Sequence, residues 1–187
     1  MSKKIDIVRQ YVGNYTGSFS GRELARKLGI NHQTTLNCLQ ELVKEKILTF
    51  RVEGRNNNYF LKLDSFNTRL WLQLAENANS LCKLKNYELK KVVEAIVPLT
   101  EIVIVFGSFA KSLEKEDSDI DLIIISGTNK KVITQKLSLF SREINAEFIS
   151  WSDFVKSYHE KSALAKEIVA NHLLFGNVYK VVDLYCN

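Results

Sequence analysis

Residues Gly107 to Ile125 read GSFAKSLEKEDSDIDLIII. A Gly-Ser pair follows the apolar run Ile102–Phe106. A charged stretch comes next, then Asp119 and Asp121 with one residue between them, and then four apolar residues. Side chains of a strand alternate in direction. Asp119 and Asp121 therefore share one face, and Ile120 and Leu122 face the core. Two carboxylates side by side disfavour each other's ionisation. A divalent cation offsets that repulsion, and Mg²⁺ is commonly held by one or two carboxylates together with substrate phosphates. Gly107 and Ser108 lie where a strand ends and a short helix is expected. There a glycine admits a phosphate to the main chain, a hydroxyl can donate to it, and helix-terminal N–H groups suit an anion. The alternative reading of the two aspartates is a solvated strand edge.

Neither GxxxxGK[ST] nor GxGxxG occurs, which speaks against a P-loop or a Rossmann site. Asp117, Asp119 and Asp121 alternate as in a calcium loop. The sixth position of such a loop must be glycine, and here it is Leu122.

Gly107-Ser108, ten residues, then Asp119-x-Asp121 on a strand resembles the signature of the DNA-polymerase-β-like nucleotidyltransferases. SDIDL and the short length look most like the minimal prokaryotic members. The resemblance covers about residues 86–187. It implies a small mixed sheet with helices, an NTP donor such as ATP, and Mg²⁺ or Mn²⁺ ions on three carboxylates. Asp119, Asp121 and Glu147, in AEFIS, would be the catalytic and metal-holding set. Gly107, Ser108 and Lys111 would bind the nucleotide. Asp153 rivals Glu147, but it sits in a capping pattern with Ser150. Two departures stand out. The third carboxylate is a Glu where Asp is usual, and Lys111 is followed by Ser112 where glycine is frequent.

The rest of the chain differs in charge. Residues 1–63 carry 11 Lys+Arg against 5 Asp+Glu, and residues 64–187 carry 15 against 16. An excess of positive charge confined to one third suggests a nucleic-acid contact there. Ser20-Gly-Arg-Glu23 forms a capping box, Gly29 supplies a turn, and Asn31 is an N-cap for a further helix. Apolar alternation from Leu48 to Val52 and from Tyr59 to Leu63 frames the turn-rich EGRNNN, a hairpin. Helix, turn, helix and hairpin in this order resemble the winged helix-turn-helix domains of prokaryotic transcription regulators, over roughly residues 3–63. The resemblance implies that His32, Gln33, Thr34 and Thr35 face base edges in the major groove. The wing would bring Arg51, Arg55, Asn56 and Asn57 to double-stranded DNA. A wing that docks protein is the other reading.

The expected fold class is α+β. A winged helix-turn-helix (1–63) leads through a helical linker (64–84) to a nucleotidyltransferase domain (85–187) with a small mixed β-sheet. Apolar content of 45% and charged content of 25% are those of a globular protein. No apolar run reaches membrane-spanning length, no signal-peptide pattern is present, and three scattered cysteines fit neither zinc nor disulfides. A cytoplasmic location is expected, with no membrane partner. The function expected is metal-dependent transfer of NMP to a hydroxyl of a macromolecular acceptor, with a protein as first choice. Alternatives are a transcription regulator, or an antitoxin neutralising a helical toxin of the HEPN kind, with a catalytically weak transferase domain. The dimeric habit of winged-helix regulators suggests a homodimer.

Overall fold

The computed structural model describes residues 2–126 and 129–187. It is an α+β chain with two separate sheets. The chain divides into two compact units: Met1–Ala78 with Tyr179–Asn187, and Asn79–Val178. The sequence reading set its linker at 64–84 and counted 179–187 with the second domain; the compact units assign those last residues to the first.

In the first unit, α1 (Lys3–Arg9), α2 (Gly21–Leu28) and α3 (His32–Lys44) precede a hairpin of β2 (Leu48–Glu53) and β3 (Asn56–Leu61). Local chemistry sets each boundary. The Ser20 side chain accepts from the Glu23 N–H, and Gly29 ends α2 in the left-handed region at φ 64°. Asn31 starts α3 by accepting from the Gln33 N–H at 2.8 Å. The hairpin turns at Gly54-Arg55, so the strands run further toward the tip than the EGRNNN run suggested. A short strand not expected from the sequence, β1 (Ser18–Ser20), pairs with the other side of β3 and completes an antiparallel sheet of order β1-β3-β2. Ile7, Val8, Tyr11, Leu24, Leu39, Leu42 and Leu48 are fully or almost fully buried. The Tyr11 hydroxyl donates to the Tyr59 carbonyl at 2.8 Å, and burial pushes its pKa far up.

The stretch expected as a helical linker falls mostly in α4 (Phe66–Lys83), and α5 (Tyr87–Ile96) follows it. Asn86 separates them as an N-cap, accepting from the Leu89 N–H. Pro98 lies in a 3₁₀ turn, Val97–Leu99, that ends α5.

The second unit holds a mixed sheet of order β6-β5-β4-β7. Its strands are β4 (Ile102–Phe106), β5 (Ile120–Ile125), β6 (Ile144–Ile149) and β7 (Leu173–Gly176). β4 is antiparallel to β5 and β7, and β5 is parallel to β6. Between them come α6 (Gly107–Lys111), α7 (Lys130–Leu137), α8 (Trp151–His159) and α9 (Ala163–Ala170); α10 (Val178–Cys186) follows β7. One sheet face is the main core: Val103, Val105, Leu122 and Ile124 pack with Leu89, Val92, Ile96 and Ile133. α9 ends at Ala170 and β7 starts at Leu173, and β6 starts at Ile144, so the AEFIS run begins two residues inside its strand. Cys38, Cys82 and Cys186 are free thiols. Among the described residues, no helix is long and apolar enough to cross a membrane.

Candidate functional site

The Gly107–Asp121 junction is built by the antiparallel pairing of β4 and β5, which sets Phe106 against Asp121. The next residue, Gly107, has φ +67°. A β-carbon there would lie 2.2 Å from Asp121 Oδ2 and 3.1 Å from its Cγ. No real β-carbon tolerates such a contact with a carboxylate oxygen. Glycine is thus required twice, by the left-handed backbone and by the carboxylate lying against it. Ser108 is partly buried in the first turn of α6.

Asp119 lies just before β5, and both aspartates are partly buried. The loop leading to them is tied down at Ser118. Its carbonyl accepts from Arg142 Nη1 at 2.7 Å, and its hydroxyl accepts from the Lys115 N–H at 2.8 Å. Arg142 also donates to Glu88 at 2.5 Å. Arg142 is a supporting residue that sequence analysis did not single out. No periodicity betrays it, because it lies in the loop between α7 and β6.

The frequent glycine after the basic residue is replaced by Ser112, and the structure gives the reason for the preference. Ser112 caps α6 in the left-handed region, φ 55° and ψ 41°, a conformation that costs an ordinary side chain about 1–2 kcal/mol. Lys111 Nζ is 2.8 Å from Glu167 Oε1 and so is engaged by a carboxylate.

The third carboxylate does not join the pair. β6 runs parallel to β5 with Asn145 paired to Asp121 and Glu147 paired to Ile123. Glu147 shares the sheet face of the aspartates but stands one pair further along, exposed. Asn145 Nδ2 donates to Asp121 Oδ1 at 3.3 Å. Asp153 is occupied by the α8 cap, with its N–H and its carboxylate both bonded to Ser150. Among the described residues, no three His, Cys, Asp or Glu side chains gather in a group that could hold a metal ion. The donors at hand are the two aspartate carboxylates, hard oxygen ligands of the kind a Mg²⁺ or Mn²⁺ ion would take together with substrate phosphates.

In the first unit, His32 and Gln33 are exposed and Thr34 half-exposed on the first turn of α3, with Gln33 bonded to Asn37. Thr35 differs from expectation. It is fully buried, and its hydroxyl donates to the Asn31 carbonyl. It is part of the helix start and cannot face a base. Arg51, Arg55, Asn56 and Asn57 are exposed on the hairpin, with the Arg51 guanidinium 5.3 Å from the Phe60 ring centroid. His32, Arg22, Arg55, Asn56 and Asn57 line one cleft together, so the hairpin tip and the start of α3 border the same concave surface.

Residues 88–178 match the family model described as polymerase beta, nucleotidyltransferase. The match spans the mixed sheet and both aspartates, and the α+β architecture with its mixed sheet is consistent with that fold. No curated protein matches the chain. A solved structure of TrmBL2, described as an archaeal chromatin protein with a novel mode of DNA binding, aligns over 99% of this chain and 89% of that one. The identity is 12% and the TM-score 0.29, a likeness too remote to bear on fold or partner.

Proposed function

We propose that the protein binds DNA through its first unit, and that residues 88–178 form a nucleotidyltransferase. This domain would take a nucleoside triphosphate, with ATP the donor to test first, and transfer its NMP to a hydroxyl of a macromolecular acceptor. The observation that carries the reading is the Gly107–Asp121 contact, in which a carboxylate lies against a left-handed glycine at a strand end beside Ser108. A buried-strand aspartate needs no such accommodation for stability alone.

In this reading Asp119 and Asp121 would hold a divalent cation, which would supply neutralisation of triphosphate charge. Ser108 donates its hydroxyl to a phosphate oxygen. Gly107 keeps the main chain close enough for the phosphates to approach. The acceptor oxygen bonds to the α-phosphorus as the bond to the β-phosphate oxygen breaks. Pyrophosphate leaves and the hydroxyl proton passes to water. Catalysis in such transfers is mostly positioning and charge neutralisation. The small domain leaves the acceptor to dock from outside, and a protein hydroxyl, such as one on a HEPN-type toxin, is the acceptor class proposed.

Winged-helix binding of duplex DNA, with two copies on two half-sites, completes the proposal. It is supported by the positive charge of residues 1–63, the exposed first turn of α3 and the basic hairpin tip. A second reading is favoured by the missing third carboxylate: a transcription regulator or antitoxin whose transferase domain turns over weakly and serves nucleotide sensing or partner binding.

The test is incubation of the full chain with α-labelled ATP, Mg²⁺ and cell lysate. A labelled protein that disappears with Asp121→Ala is the expected result. Label found only on a small molecule, or no label at any metal concentration, would sink the transfer reading.

A further inference from the structure

Asp121 has two close neighbours, and the second has a consequence for the metal count. Paired residues of adjacent parallel strands stand side by side about 4.8 Å apart, and the next pair on that face lies about 6.6 Å further along. Asn145 is therefore the residue of β6 whose short side chain meets Asp121, and it does so through Nδ2 to Oδ1 at 3.3 Å. Glu147 begins one step beyond and is exposed. Asp153 is spent on its helix cap. The position beside Asp121 is thus held by a neutral amide that donates a hydrogen bond. A cation needs the reverse, an acceptor with negative charge. Asp119 and Asp121 supply two negative charges. That balances one divalent ion, and among the described residues no third His, Cys, Asp or Glu joins the pair in a group that could hold a second.

We propose that Asn145 makes this a single-cation site. As a positioning residue, it fixes the Asp121 carboxylate against Gly107 while denying a second divalent ion its ligand, so that metal–triphosphate is held and turned over slowly. The proposal rests on the nucleotide-binding reading above and specifies its metal stoichiometry.

The experiment counts Mn²⁺ bound per full-length chain by electron paramagnetic resonance, at saturating α,β-methylene-ATP. Wild type is expected to bind one Mn²⁺, Asn145→Asp two, and Glu147→Gln one. With hydrolysable ATP, Asn145→Asp should raise label transfer tenfold or more. Asn and Asp are near-isosteric, but the wild-type and Glu147→Gln counts decide the matter even if Asn145→Asp does not fold. Two Mn²⁺ in wild type falling to one in Glu147→Gln would overturn the proposal and make Glu147 the third ligand. One Mn²⁺ in a folded Asn145→Asp would overturn it as well. If no variant binds Mn²⁺–nucleotide while all melt cooperatively, the nucleotide reading itself falls, and this proposal with it.

Discussion

Replacing Gly107 with alanine perturbs one methyl group and tests the architecture of the site directly. Two costs arise, and each can be sized. The backbone at φ +67° must hold a residue with a β-carbon, which costs about 1–2 kcal/mol. The methyl must also evict Asp121 Oδ2 from a 2.2 Å contact, and overpacking of this kind costs about 1–3 kcal/mol. Together they come to about 2–5 kcal/mol in the Asn79–Val178 unit. A unit of that size loses roughly 4–8 °C of melting temperature per kcal/mol, so a fall of at least about 8 °C is expected. Thermal unfolding followed by circular dichroism, with and without MnATP, reads both the fall and the loss of ligand stabilisation. The double mutant Gly107→Ala/Asp121→Ala separates the terms. Removing the carboxylate relieves the clash but leaves the backbone strain, so a coupling of about 1–3 kcal/mol should appear in the double-mutant cycle. A melting temperature within about 2 °C of wild type, or a coupling near zero, would refute the contact on which the site is built.

Four further outcomes are expected. Ser112→Gly, which removes a β-carbon from a left-handed cap, should stabilise the protein by about 1 kcal/mol in the same melts without altering nucleotide binding. Arg55→Ala should weaken duplex binding for all sequences alike and reduce the salt slope by about one in fluorescence anisotropy titrations, whereas Gln33→Ala should chiefly relax sequence preference. Thr35→Val should cost about 1 kcal/mol of stability through the lost bond to the Asn31 carbonyl, and a change in base preference would contradict its burial. Burial, with smaller opposing effects of Arg69 and Asp183, raises the Cys186 thiol from 9.0 to about 11. The unfolded chain then releases this proton first, so the thiol's contribution to stability is complete below pH 9 and is lost between pH 9 and about 11. The difference in melting temperature between wild type and Cys186→Ala should change across that window and stay flat below it.

How much of this was legible in the sequence depended on whether the signal was local. Ser20, Gly29, Asn31 and Asn86 act on backbone groups within three residues of themselves, and each boundary fell where its chemistry put it. β4 and β5 were legible as apolar runs bounded by turn residues. β7 was not, because LLFG is four residues long and continues without a proline or glycine from the preceding helix. β1 is a three-residue strand made by pairing with β3, which no local pattern announces. Thr35 looked like a base-reading residue by position alone, and only the packing of α3 shows that its hydroxyl is turned back to the helix start. The neighbour of Asp121 was hidden for the same reason. The resemblance pointed to Glu147 in AEFIS, but register between distant strands decides which residue is paired with Asp121, and that residue is Asn145. A two-residue shift along a strand keeps the face and changes the neighbour.

Asp121 is held on both sides before any ligand arrives. One oxygen lies against the Gly107 backbone, and the other accepts from Asn145. A carboxylate fixed by main-chain spacing and by a hydrogen bond from the next strand has little rotamer freedom left to lose. Binding then costs less ordering than it would for an aspartate free in solvent. The same two contacts set the chemistry. Gly107 lets Oδ2 lie against the main chain, and Asn145 donates a hydrogen bond to Oδ1. A strand edge that was merely solvated would have no use for a left-handed glycine at this point, and alanine would serve in a relaxed turn. The backbone is thus shaped around the carboxylate, while the neighbouring strand supplies an amide. The carboxylate is thus strongly positioned, and the side chain that meets it from the next strand brings no negative charge.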